Sequence, residues 1–197
     1  MLAGGGEAQL RLLDADDKGL LRRGFERLSD DGRYNRFFVR KRMLLDAELD
    51  YLTELDQIHH LALVAVRATA LEPTEGLAVA RAVRLVTEPH VYEGAIAVVD
   101  EFQGRGLGAA LLRRLMAATA ERGGGSLRFC LLPTNTAMRA LLTSLAPQSA
   151  FVDEDGVLRL DIPLDGSSPA RSTAAALDAR AGDRLRPRAR RPPAPGR

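Results

Sequence analysis

A turn with glycine at alternate positions constrains the fold of this chain more than any other feature of its sequence. The turn, Gln103–Gly108, reads QGRGLG and joins an apolar stretch typical of a strand to a long amphipathic stretch typical of a helix. Glycine adopts positive φ without strain and lets a ligand approach the main chain closely. The first N–H groups of a helix have no partner within it and lie at the positive end of its dipole. The turn therefore predicts an α/β domain with an anion-binding site where the helix begins.

Other turns that bind phosphate match this sequence less well. A P-loop requires Lys and then Ser or Thr after its last glycine, and both are absent here. A dinucleotide fingerprint is formally present, because Gly104, Gly106 and Ala109 match G-x-G-x-x-G/A. That motif needs an acidic residue at the end of the next strand, where Leu131–Pro133 stand instead. A turn without any ligand needs only one glycine, so a purely structural turn explains the spacing poorly.

Apolar periodicity predicts the remaining elements of the domain. Strands are predicted over 8–14, 60–69, 76–86, 91–99 and 126–132, before a hairpin over 150–163 around Glu154–Gly156. Helices are predicted over 19–29, 31–38, 47–54 and 134–145, with a longer helix from Leu107 to the glycines at 123–125. Pro73 and Gly76 suit the turn between the second and third strands. This order has no internal repeat and predicts one α/β domain on a mixed sheet.

The C-terminal segment differs in composition from the rest of the chain. Residues 166–197 contain eight Arg against two Asp and five of the ten prolines, with few bulky apolar residues. The net charge of the whole chain is +2, so the segment carries +6 and the rest carries −4. We therefore expect a folded domain over 8–164 and a disordered basic tail over 165–197. The tail has no aromatic residue to stack on a base, which disfavours nucleic-acid binding.

Several classes of protein are disfavoured by the same sequence. No apolar run approaches the about 18 residues that a membrane span requires, and the N-terminus lacks the layout of a signal peptide, so a cytoplasmic protein is expected. One cysteine, Cys130, excludes a disulfide scaffold, and its place in an apolar strand predicts buried packing. His59, His60 and His90 lack the spacing of metal ligands, so we expect no metal site.

The turn and its surroundings resemble a known family. The pattern Q-x-x-G-x-G after an apolar strand resembles the coenzyme A loop of GNAT N-acetyltransferases, and the resemblance covers roughly Gln9–Leu164. Leu28-Ser29, Arg33-Tyr34 and Arg36-Phe37-Phe38, followed by Leu61–Ala65, further resemble the GNAT domain of bacterial Pat-type protein lysine acetyltransferases. The resemblance implies a GNAT fold, in which helices flank a mixed and mostly antiparallel sheet. It also implies acetyl-CoA as co-substrate.

The resemblance assigns acetyl-CoA mainly to main-chain groups. It implies that the pyrophosphate lies on the N–H groups of Gly104–Ala109, and that the pantetheine pairs with the strand near Ile96–Val98. The N–H of Val98 would polarise the thioester carbonyl. The residues expected to bind the co-substrate are Ile96, Ala97, Val98, Gln103, Gly104, Arg105, Gly106, Leu107, Gly108, Ala109 and Asn135.

One carboxylate is expected to act in the reaction. Glu93 lies ten residues before Gln103, where similar Pat-type domains carry their general base, although an alternating strand also explains a solvent-facing Glu93. Asn135 is expected either to bind the pantetheine or to cap its helix. Many GNAT enzymes have a tyrosine seven residues after this asparagine as general acid, and Leu142 stands there instead. Which group, if any, protonates the leaving thiolate stays open.

The sequence thus predicts an N-acetyltransferase that acts by direct attack in a ternary complex. A protein lysine is the expected acceptor, and the net charge of −4 over residues 1–165 mildly favours a cationic one. Two alternatives stay open, namely acetylation of a small amine and an inactive acyl-CoA-binding module that serves regulation.

Overall fold

The computed structural model describes residues 8–67 and 75–164, which contain seven strands and five helices. The strands are β1 (Gln9–Leu12), β2 (His60–Arg67), β3 (Glu75–Arg84), β4 (Val91–Val98), β5 (Ser126–Leu131), β6 (Val152–Glu154) and β7 (Val157–Pro163). The helices are α1 (Lys18–Glu26), α2 (Asp30–Phe37), α3 (Asp46–Thr53), α4 (Leu107–Ala120) and α5 (Thr136–Leu145). The predicted tail over 165–197 and the turn at Pro73 lie outside the described residues.

All seven strands form one sheet, in the order β1-β2-β3-β4-β5-β7-β6. Each neighbouring pair is antiparallel except β4 and β5, which are parallel because the crossover through α4 connects them. The predicted mixed and mostly antiparallel sheet is confirmed. The parallel pair lies at the centre of the sheet. The strands before it, β1 to β4, are neighbours in chain order, and α4 then connects β4 to β5.

Helices cover both faces of the sheet, and β2 shows how the sequence divides its side chains between them. Leu61, Leu63 and Ala65 join a core cluster that includes the buried leucines of α4. The alternate residues Ala62 and Val64 join a second cluster with α1 and α3. Because side chains of a strand alternate between faces, a continuous apolar run is what a strand covered on both sides requires.

Most predicted elements are confirmed to within two or three residues at their ends, and the differences have local causes. Helix α5 begins at Thr136 rather than Thr134 because Asn135 is its N-cap. Ser29 likewise caps α2 through a bond from the Gly32 N–H. The final hairpin turns at Asp155 and Gly156, which both have positive φ, as a two-residue turn of twisted strands requires. The longest described helix, α4, has 14 residues, and none of the described helices is long and apolar enough to cross a membrane.

Candidate functional site

The sheet divides between its two parallel strands. Pairing between β4 and β5 is limited to Val91–Glu93 against Ser126–Arg128, and beyond Glu93 the strands separate. Gly94 is the first residue past the last pair, and a Cβ there would lie 2.6 Å from the ring of Phe129. Only glycine lets this buried ring lie against the backbone of β4. The ring therefore acts as a wedge between the strands at the point where they separate.

The separation opens a cleft of about 530 Å³ between β4, β5, α2 and α5. The N–H of Val99 donates to the carbonyl of Leu77, so Val99 and, two residues earlier, Ala97 are the β4 residues that exchange hydrogen bonds with β3. Since these pairs alternate along an antiparallel ladder, the N–H and C=O groups of Ile96 and Val98 point away from β3. They lie on the side where β5 has separated. The Val98 carbonyl accepts from the Gln103 side chain, which leaves the Val98 N–H and both groups of Ile96 to bind a molecule in the cleft.

The glycine turn closes one end of the cleft. Gly104 has φ +69° and Gly106 has φ +81°, conformations that favour glycine. Within the described residues, none of the N–H groups from Gly104 to Ala109 donates to another protein group. The Gln103 side chain donates from Nε2 to the carbonyl of Val98 at 3.0 Å, which ties the turn to the end of β4. The turn thus offers a row of unused donors at the start of α4, as an anion site requires.

Most residues predicted to bind the co-substrate lie around this cleft. Those that line it are Ile96, Ala97, Val98, Gln103, Gly104, Gly106, Gly108, Ala109 and Asn135. Two predicted residues do not line it. Leu107 is 3% exposed and packs in the core, and the guanidinium of Arg105 lies 5.3 Å from the Phe102 ring centroid. For these two, the prediction rests on their main-chain N–H groups, which donate to no described residue.

Glu93 and Cys130 lie on either side of the strand separation. Glu93 is exposed while Tyr92 is 2% exposed, so the predicted alternation along β4 is correct. The exposed face of Glu93 is the cleft itself, which both interpretations of this residue allow. The prediction that Cys130 is buried packing is wrong, because its thiol is exposed and lines the same cleft. Partial burial and then the nearby Glu93 carboxylate raise the pKa of this thiol.

The structure gives Asn135 a definite capping role. Its Oδ1 accepts a hydrogen bond from the Met138 N–H at 3.1 Å, which satisfies one of the free donors at the start of α5. Asn135 also lines the cleft, and its amide nitrogen donates to no described residue. Leu142, where many related enzymes carry a tyrosine, is fully buried in the core.

A second cavity of about 350 Å³ adjoins Glu93 on the α2–α3 side of the sheet. We call it the arginine chamber, because Arg36 and Arg81 line it together with Glu48, Tyr51 and Glu93. Glu93 lines both the cleft and the chamber, and Arg36 does as well. The two cavities therefore meet at the point where β4 and β5 separate.

A buried arginine is the main polar feature of the chamber. Arg81 is 5% exposed and donates to the carbonyl of Leu52 at 3.2 Å. Its Nη1 lies 2.8 Å from Nε2 of His60, so the uncharged ring accepts this bond. Burial and then the charge of Arg81 lower the pKa of His60 to about 4, and burial lowers the pKa of Arg81 to about 9. His60 is therefore a neutral partner of a buried cation.

Sequence reasoning did not identify the strand wedge or the chamber. A glycine inside a strand indicates a close approach, and this signal was available at Gly94. Arg81 interrupts an apolar strand, a pattern that calls for a buried partner. Nothing in the local sequence relates Arg81 on β3 to Arg36 on α2. In the described residues, no group of three or more His, Cys, Asp or Glu side chains is arranged to hold a metal ion.

Comparison with known proteins agrees with this geometry. The sequence profile of the Acetyltransferase (GNAT) family matches residues 39–146. The GNAT domain of S. lividans PAT has a TM-score of 0.73 at 29% identity, over 82% of this chain and 93% of that one. A cAMP-binding acyltransferase from Mycobacterium smegmatis has a TM-score of 0.57 at 26% identity, over 85% of this chain and 48% of that one. The yncA protein from Salmonella typhimurium, solved with its cofactor acetyl-CoA, is similar in fold, with a TM-score of 0.63 at 17% identity, over 82% of this chain and 97% of that one.

The family profile covers more than half of the chain, and the solved structures have the same fold. The predicted GNAT fold and the resemblance to Pat-type domains are therefore confirmed. The chain belongs to the GNAT acetyltransferase family and is an N-acetyltransferase that uses acetyl-CoA.

Proposed function

We propose that this enzyme moves the acetyl group of acetyl-CoA to a lysine side chain of a protein. The acceptor class is supported by the similarity to the GNAT domain of S. lividans PAT, which extends over 93% of that chain. The mechanism rests on one observation above all. Glu93 lines both the cleft and the arginine chamber, so a carboxylate stands where a co-substrate in one cavity meets an amine in the other.

Main-chain groups hold the co-substrate in this proposal. The free N–H groups of Gly104–Ala109 suit the pyrophosphate, because they combine unused donors with the positive end of the α4 dipole. Ile96 and Val98 pair with the pantetheine as a neighbouring strand would. The side-chain amide nitrogen of Asn135 donates to the pantetheine while its oxygen continues to cap α5. Acetyl-CoA supplies an acetyl group activated as a thioester.

Glu93 acts as general base. The ammonium of a lysine has a pKa of about 10.4, so it must lose a proton before its nitrogen can attack. Glu93 accepts this proton, and the neutral nitrogen bonds to the acetyl carbon. The nitrogen then releases its second proton to water as the carbon–sulfur bond breaks and the amide forms. The Val98 N–H stabilises the negative charge that develops on the carbonyl oxygen. Leu142 offers no proton, so the thiolate leaves as an anion or takes a proton from water.

The test follows labelled acetyl-CoA incubated with the purified protein and an extract of the source cell. After separation by size, we expect enzyme-dependent label in the macromolecular fraction, stable to thiol reagents as an amide is. The Glu93→Gln variant should lose this label. The Glu26→Gln variant is the matched control, because Glu26 is exposed on α1 and does not line the cleft or the chamber.

The distribution of label separates the remaining possibilities. Label confined to small molecules would overturn the protein acceptor and keep the mechanism. Absence of label from both fractions, together with saturable acetyl-CoA binding, would identify a binding module instead of an active enzyme. Unchanged labelling by Glu93→Gln would overturn the assignment of the base.

A further inference from the structure

The arginine chamber holds two arginines that form no ion pair with any described residue, although Glu48 and Glu93 also line it. Arg81 is 5% exposed, and its partners His60 and the Leu52 carbonyl are both uncharged. Arg36 stacks on the Phe37 ring at 4.9 Å and forms no hydrogen bond or ion pair with any described residue. A buried charge is costly unless an opposite charge or hydrogen bonds compensate it. Two neighbouring arginines therefore call for an anion.

Several other partly buried arginines of this protein have such anions. Arg128 binds Glu88 and Asp161, and Arg11 binds Asp17, with N–O distances of 2.6–2.8 Å. The chamber is different because its own carboxylates are few. Glu48 already accepts from the Lys41 ammonium and from the Leu45 N–H. Glu93 remains, and neither Arg36 nor Arg81 is among its ion-pair partners in the described part of the chain.

We infer that the arginine chamber binds a carboxylate of the acceptor, while the acceptor's amine lies at Glu93. This inference rests on the proposed function and specifies its substrate class. In a protein acceptor, the carboxylate belongs to an Asp or Glu beside the lysine. In a free amino acid, it is the α-carboxylate, which offers the same chemistry. Arginine suits this role because its planar N–H groups bind a carboxylate in a bidentate manner.

The arginines in and beside the chamber favour an anionic group on the acceptor, whereas the net charge of the domain favoured a cationic acceptor. The net charge of −4 over residues 1–165 mildly favoured a cationic acceptor. The connection from α2 to α3 beside the chamber carries Arg40 and Arg42, both exposed. Since salt screens surface charges beyond about 8–10 Å, the charges that line the chamber determine which acceptor binds, rather than the sum over the domain.

The experiment compares acceptors that differ only in a carboxylate. One pair is two peptides in which Glu or Gln adjoins the same acceptor lysine, and the other pair is free lysine and 1,5-diaminopentane. We expect the wild-type kcat/KM to favour the carboxylate-bearing member of at least one pair about tenfold. In Arg36→Gln the ratio should fall to about one, mainly through KM. Arg113→Gln is the control, because it removes the same charge from an exposed position of α4 and should keep the ratio.

A binding measurement keeps the inference testable without turnover. Fluorescence anisotropy of the labelled Glu and Gln peptides on Glu93→Gln with saturating CoA should show the same preference, lost when Arg36→Gln is added. Melting curves verify that Arg36→Gln is folded. Equal affinity of both peptides and equal rates in both acceptor pairs would overturn the inference while leaving acetylation intact. Absence of acetylation from every acceptor, with the binding preference retained, would overturn only the proposed function.

Discussion

The two sides of β4 offer different parts of the chain to a ligand. On the cleft side, most of the available donors are main-chain N–H groups of β4 and of Gly104–Ala109. On the chamber side, the available groups are side chains, with Arg36 from α2, Tyr51 from α3 and Arg81 from β3. Glu93 lies between the two. The proposed site for acetyl-CoA is thus encoded over a few consecutive residues. The proposed site for the acceptor forms only when distant segments come together in the folded molecule.

This difference explains how substitutions should act. Replacing a side chain on the cleft side leaves most of its hydrogen-bond donors in place, whereas a change in backbone conformation there should weaken binding of acetyl-CoA. Replacing a side chain in the chamber should change the choice of acceptor instead. The following variants break or sharpen this contrast, beginning with the largest expected effect.

Gly94→Ala should have the largest effect on stability. The new Cβ would lie 2.6 and 2.7 Å from two atoms of the Phe129 ring and 3.1 Å from the Leu127 side chain, so the wedge must move. Overpacking of this kind costs about 1–3 kcal/mol of unfolding free energy. Chemical denaturation measures it. Gly24→Ala is the control, because a Cβ at Gly24 meets no atom within 4 Å, and it should leave stability unchanged or raise it. Equal stability of Gly94→Ala and wild type would contradict the wedge.

Gly106→Ala should weaken acetyl-CoA binding about tenfold. Gly106 has φ +81°, a conformation that costs a residue with a side chain roughly 1–2 kcal/mol. We expect the turn to change its backbone conformation in the variant, so that its N–H groups no longer point together at the pyrophosphate. Gly123→Ala has the same φ of +81° at the far end of α4, and it should lower stability without affecting binding. Calorimetric titration of both variants separates backbone strain from ligand binding. Equal losses of affinity in the two variants would refute the turn as the binding site.

Stability should fall in acid because of His60. Its pKa of about 4 in the folded protein lies below the ordinary value of 6.5, so the unfolded chain binds more protons between these limits. The contribution of His60 to the free energy of unfolding is complete above pH 6.5 and is lost as the pH falls toward 4. Because the ring is half-buried, we expect a loss on the order of 1 kcal/mol. Denaturation at several pH values should show a smaller slope in His60→Gln, whereas the exposed His90→Gln should keep the wild-type slope. Identical slopes in all three proteins would contradict the buried Arg81–His60 contact.

Asn135 combines a cap with a donor, and two variants separate them. Asn135→Ala should cost about 1 kcal/mol of unfolding free energy because the Met138 N–H loses its partner. Asn135→Ser restores an oxygen cap and should keep most of that stability. Both variants lose the amide nitrogen, so both should weaken acetyl-CoA binding about fivefold, as the loss of one hydrogen bond implies. Unchanged affinity in both would reduce Asn135 to a cap alone.

The sequence predicted what depends on local pattern. The glycine turn, the order of the elements and the inward Tyr92 beside an outward Glu93 follow from spacing and alternation, and the structure agrees with them. The choice of Cys130 as a buried residue was wrong for a physical reason. Apolar neighbours indicate a strand that is covered on both faces, but β5 leaves β4 just before this residue and exposes it to the cleft.

The chamber was not predictable in the same way. The motif that contains Arg36 points to the acceptor side, but Arg81 lies 45 positions later on a different element and stands in no motif. Their proximity results from how α2 and α3 pack on β3 and β4, which no local period encodes. The wedge of Phe129 at Gly94 is also a contact between distant segments, although the glycine itself gave a usable hint.

The central claim is that binding and reaction are separable at Glu93. Its most direct test measures kcat for acetyl transfer and the Kd of acetyl-CoA in parallel, for wild type, Glu93→Gln and the control Glu26→Gln. We predict that Glu93→Gln lowers kcat by about 10²–10⁴-fold, as loss of a general base does, and leaves the Kd within about twofold. Unchanged kcat, or a parallel loss of kcat and affinity, would contradict the account.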